Sequence, residues 1–113
     1  MIEPVAARKV SKAFDQKMSW VYDEHRTWNL RFTHENTVVH AFIQKRPHYC
    51  DRGHYQLNID ILKSTEPWGE LDPQDGFPRY YMSFKTAAEE CESFLIWRLL
   101  KIPMEQQWIS FRR

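Results

Sequence analysis

His54-Tyr55-Gln56-Leu57-Asn58-Ile59-Asp60-Ile61 is the stretch that decides the fold. Tyr55, Leu57, Ile59 and Ile61 take every second position, with His54, Gln56, Asn58 and Asp60 between them. Successive side chains of a strand point to opposite faces, so a period of two describes a strand with one dry face and one wet face. A sheet built that way is of the antiparallel kind, which needs covering on one side only. The rest of the chain has to supply neighbouring strands and one layer of cover.

Upstream, Thr37 to Lys45 sets Val39, Ala41 and Ile43 against Val38, His40, Phe42 and Gln44, with His34-Glu35-Asn36 as the turn before it. Pro47 ends this strand, and Asp51-Arg52-Gly53 offers a backbone able to turn into the next. Trp20 and Tyr22, then Trp28, Leu30 and Phe32, alternate with polar neighbours and predict two further strands. Pro4 to Lys17 carries Val5, Ala6, Val10, Ala13 and Phe14 at helical spacing and predicts a short amphipathic helix.

Downstream, Ser64 to Gly76 is a long acidic loop holding two prolines and two glycines. Phe77 to Phe84 resumes alternation and predicts Tyr80 and Met82 on the core side. Thr86 and Glu89 have capping-box spacing, so a helix is expected to begin at Thr86. Ala88, Cys91, Leu95, Leu99 and Ile102 form its apolar stripe, and Pro103 stops it. The predicted architecture is α+β over one domain, 1–113. It is a two-layer sandwich: an antiparallel meander sheet of four or five strands, a long C-terminal helix on one face, and a short N-terminal helix.

Composition bounds the function. Sixteen basic residues against fifteen acidic ones leave no long-range field to draw in a polyanion. The longest uncharged apolar run, Ser93 to Trp97, is far too short to cross a bilayer, and no signal pattern follows Met1, so a cytoplasmic chain without a membrane partner is expected. Two cysteines are too few for a disulfide scaffold. Glycines at 53, 69 and 76 cannot build a phosphate-cradling loop. His48, Cys50 and His54 lie close together but fall short of the four ligands of a structural zinc site, and no group orients an imidazole for a Cys50-based nucleophile. No catalytic residue, cofactor site or metal site is assigned.

What stands out is aromatic content, 15% of the chain with five tryptophans. Large aromatic side chains dominate protein interfaces, so the expected function is a small, non-catalytic interaction or regulatory protein. Trp68 and Leu71 in the acidic loop, with Trp108 and Phe111 in the tail, are the candidate interaction surface. The partner is another protein or a second copy, and a homodimer abutting its tails at Trp108, Ile109 and Phe111 would hide that apolar surface. The alternative is a nucleic-acid-binding module using the basic and aromatic hairpin from Lys45 to Tyr55, with Lys45, Arg46, Tyr49, Arg52 and His54 as its surface.

Overall fold

The computed structural model describes residues 3–46, 54–63, 72–74 and 76–110. Its strands are β1 (Val5–Ala6), β2 (Ser19–Tyr22), β3 (Thr27–His34), β4 (Thr37–Lys45), β5 (Tyr55–Lys63), β6 (Asp72–Pro73) and β7 (Arg79–Tyr81). Its helices are α1 (Arg8–Phe14), α2 (Phe84–Leu100) and α3 (Met104–Ser110). The strands form one antiparallel meander in the order β1 to β6, and β7 pairs with β5 beside β6. The predicted α+β architecture is present, with more strands than the predicted four or five. The additions are β1 and β6, pieces of two residues too short to show a period, while β7 falls within the strand expected at Phe77 to Phe84.

The long strands follow their sequence pattern residue by residue. Leu30 pairs with Ala41 and Ala41 with Ile59, while Trp28 pairs with Ile43 and Ile43 with Leu57. These residues share the inner face, where α2 lies over β4, β5 and β7 and α1 packs on α2. Leu30, Ala41, Ile43, Leu57, Ile59, Cys91, Leu95 and Ile96 are all buried there. Rings thicken this layer: Trp20 meets Phe84 edge-on at 5.9 Å, and Phe84 lies 4.8 Å from Trp28.

Two boundaries and one face differ from the sequence expectation: α1 opens at Arg8, after Val5–Ala6 has paired with β2, α2 opens before Thr86, and β7 turns its other side inward. α2 begins at Phe84 because Ser83 is the residue that caps it: its side chain accepts from the Thr86 amide at 3.2 Å. Ser83 and Thr86 stand three apart, a spacing at which a capping side chain reaches its target amide, and Ser83 has the extended backbone a cap needs. Tyr80 and Met82 are not on the core side. β7 pairs Tyr81 with Tyr55, which places Tyr81 against the core and leaves Met82 70% exposed. A strand of three residues takes its face from the register with its neighbour, and a slip of one residue reverses every side chain.

Helix α1 has no capping side chain of its own, because Ala7 stands at its N-cap. The cap comes from α2: Glu92 Oε1 accepts from the amides of Lys9 at 3.0 Å and Val10 at 3.2 Å. Glu92 is buried, and burial raises its pKa against the opposing pull of those two amides, the Trp20 indole and the Lys9 charge. The Trp20 Nε1–H has no partner in hydrogen-bond geometry but lies close enough to favour the carboxylate. Lys9 Nζ donates to the Ser93 hydroxyl beside it. One acidic side chain thus orders the first turn of α1 and anchors it to the long helix.

At the other end, Lys101 takes a left-handed backbone (φ 59°) and its amide donates to Trp97 O, ending α2 before Pro103. The following segment is helical. Gln107 is fully buried, its Nε2 donating to Ile102 O at 2.8 Å and Ser93 O at 3.1 Å, whereas Ile109 is 78% exposed. Chain reversal leaves the Ile102 carbonyl beyond the end of α2, and the side-chain amide of Gln107 donates to it and to Ser93 O within α2 by turning that face of α3 inward.

Candidate functional site

The outer face of the sheet is the candidate site. Among the described residues all three helices pack on the inner side, and none covers this face. Alternation brings four cross-strand rows to it: Thr27, Gln44, Gln56 and Tyr80; Asn29, Phe42 and Asn58; Arg31, His40 and Asp60; Thr33, Val38 and Leu62. Val21 of β2 stands beside Asn29 and is 52% exposed.

A chain of hydrogen bonds fixes the middle of this face. Asp23 closes the β2–β3 turn by accepting the His25 amide at 2.8 Å and the Thr27 amide at 3.2 Å, and its second oxygen accepts from Asn29 Nδ2 at 2.9 Å. The Asn29 hydrogen bond, joined by the two amides, holds the Asp23 carboxyl below its ordinary pKa against a smaller effect of burial. With Asn29 Nδ2 donating, Asn29 Oδ1 can only accept, so the His40 nitrogen 3.0 Å away carries the proton and His40 is the Nε2–H tautomer. Burial, with the Arg31 charge, lowers the His40 pKa below its ordinary 6.5, and Asp60 partly offsets this. At neutral pH the imidazole is therefore uncharged and leaves Nδ1 as an acceptor. Burial raises the Asp60 pKa, opposed by His40.

A second network runs along the neighbouring rows. Arg46 Nε donates to Gln56 Oε1 at 2.7 Å, and Gln56 Nε2 donates to Asn58 Oδ1 at 3.0 Å. These bonds bury Gln56, which its place on the wet side of the alternation did not predict. The face is consequently a rigid mosaic in which donors and acceptors are held in place around Phe42, Val38, Leu62 and Val21.

Of the expected interaction residues, Trp68, Leu71 and Phe111 lie outside the described residues, as does the Trp108 side chain, although Trp108 falls within α3. Of the hairpin residues, Tyr49 and Arg52 also lie outside them, as do His48 and Cys50. Lys45 is exposed and pairs with Tyr55, on the inner side of the sheet, whereas Arg46 reaches the outer face through Gln56. His54 is half-buried, and its carbonyl accepts the Arg46 amide at 2.6 Å. Tyr55 is turned inward, 6.1 Å from the Trp28 ring.

The remaining chemistry among the described residues is sparse. Cys91 is fully buried, and burial pushes its thiol well above its ordinary pKa, which makes it unreactive. No group of three histidine, cysteine or carboxylate side chains there could hold a metal ion, and no helix is long and apolar enough to cross a membrane. A wide-open depression beside α1, bordered by Arg8, Lys12, Asp15 and Lys17, encloses nothing. The residues that sequence reasoning missed are Asp23, Asn29, His40 and Asp60. The period of two marked the last three as wet, but their alignment across strands becomes visible only once the register is known.

No family model, curated protein or solved structure matches this chain.

Proposed function

We propose that this protein is a non-catalytic association module and that its outer sheet face is the surface a protein partner covers. The observation that carries this reading is the hydrogen-bonded mosaic on that face. Side chains held by fixed partners lose little freedom when a second surface covers them, and the apolar residues among them reward that cover. The Nε2–H of His40 is committed to Asn29 Oδ1, an arrangement that suits recognition by a fixed group.

The test compares tagged wild-type and Phe42→Lys chains expressed in the native host. A stoichiometric polypeptide recovered with wild type and lost with Phe42→Lys, at an unchanged circular dichroism spectrum, supports the reading. Equal recovery by both chains overturns it.

A second surface is favoured by a separate observation. Trp97 is 50% exposed, Met104 49% and Ile109 78%, on α2 and α3, which pack on each other. Ile109→Ser, carried through the same comparison, distinguishes this surface from the sheet. The nucleic-acid alternative keeps Lys45, Arg46 and His54 as contacts. It predicts oligonucleotide binding that weakens steeply with salt.

A further inference from the structure

We infer that the occupant of the outer sheet face is a second copy of this chain, stacked face to face about a two-fold axis that runs along β4. This rests on the association reading and adds the partner's identity and orientation.

The argument is the arrangement of charge about the central strand. Arg31 pairs with His40 and His40 with Asp60, so one row carries a cation on β3, a neutral imidazole on β4 and a carboxylate on β5. Strands stand about 4.8 Å apart, which sets the two residues about 10 Å apart along the row, one on each side of β4. A two-fold axis along β4 exchanges the positions above β3 and β5. Arg31 of each copy then lies over Asp60 of the other, and both contacts are attractive. An axis across the strands would instead set Arg31 over Arg31 and Asp60 over Asp60. Of these two axes, the charges favour the one along β4.

The neighbouring rows agree with that choice. The axis brings Phe42 over Phe42 and Asn29 over Asn58, an aromatic pair flanked by neutral amides. His40 meets its own copy as an uncharged ring. Thr33 and Leu62 likewise exchange across Val38. Sheets pack face to face about 10 Å apart, a gap that long side chains such as Arg31 can span. At standard strand spacings the three long strands with β2, β6 and β7 present about 550 Å² of projected area per copy, at the small end of specific interfaces.

Sedimentation of four forms of the full chain across the micromolar range tests this. Wild type is expected to be a dimer. Arg31→Asp and Asp60→Arg each place like charges at both contacts and are expected to weaken it by about a hundredfold or more. An equimolar mixture of the two variants restores both attractive contacts and is expected to dimerise, as is the double exchange in one chain. That rescue also shows that the single variants are folded. A wild-type monomer, a dimer indifferent to both substitutions, or a mixture that stays monomeric would each overturn the inference. If wild type is a monomer and Phe42→Lys still abolishes recovery of a different polypeptide from the host, the self-pairing fails while the association reading stands. If that recovery is also indifferent to Phe42→Lys, both fail.

Discussion

The two faces of the sheet carry the same period of two and reach order by different means. On the inner face Leu30, Ala41, Ile43, Leu57 and Ile59 are stabilised by being removed from water beneath α2. On the outer face Asn29, His40, Gln56 and Asn58 are held by directional bonds to one another and to Asp23 and Arg46. Hydrophobic burial is non-directional and scales with area, so the inner face tolerates no loss of volume. The outer face contributes less to stability but presents a fixed pattern of donors and acceptors. The comparison separates the side of the sheet that makes the fold from the side that is available to a partner.

The sharpest break of this comparison is a matched pair on the neighbouring strands β4 and β5. Ile59→Ala should lower the unfolding free energy by about 2–5 kcal/mol, as large-to-small core changes do. Phe42→Ser on the opposite face should cost about 1 kcal/mol or less, the scale of cross-strand pairs. Urea unfolding of both variants measures the contrast, and equal losses would show that the outer face is as much core as the inner.

The next effect concerns the carboxylate that joins two helices on the inner side. Glu92→Ala leaves the Lys9 and Val10 amides without their acceptor and should cost about 1–3 kcal/mol. Its pH dependence has a definite sign. The folded pKa is raised above the ordinary 4.5, so the native state binds this proton more tightly than the unfolded chain does. That contribution is complete below pH 4.5 and is lost as pH rises through the folded value. Glu92→Gln keeps an oxygen acceptor and removes the titration, so its stability curve should lack this decline. A decline of the same slope in both proteins would assign it to another group.

The smallest effect is on the outer face itself. The folded pKa of His40 is lowered, so its contribution is complete above pH 6.5 and is lost as pH falls through the folded value. Nitrogen chemical shifts should show the Nε2–H tautomer and a midpoint below 6.5. Asn29→Ala removes the acceptor that selects this tautomer, and the ring should then populate both forms. An unchanged tautomer in that variant would break the Asp23–Asn29–His40 chain as the organising element of the face.

Much of the layer arrangement was legible because β4 and β5 are long enough to repeat their period four times over. The same reasoning misplaced Tyr80 and Met82, where β7 offers only three residues and the pairing of Tyr81 with Tyr55 decides the face. High aromatic content suggested a surplus for a partner. The structure spends much of it inside, in the contacts that join Trp20, Trp28 and Phe84, and Phe14 to Phe32 at 5.0 Å. Of the outer face, polarity was readable and geometry was not.

The sequence by itself determined the types of the long elements, the meander order and the dry side of each long strand, because alternation and helical spacing are local properties of the chain. Only the tertiary structure decided that Glu92 caps α1 from across 82 or more positions, that Gln107 is buried while Ile109 is exposed, and that Arg31, His40 and Asp60 form one row. Each of these depends on where an unsatisfied backbone group or a neighbouring strand lies in space. That position follows from packing, since a hydrogen bond or a charge contact acts over a few ångströms whatever the separation along the chain.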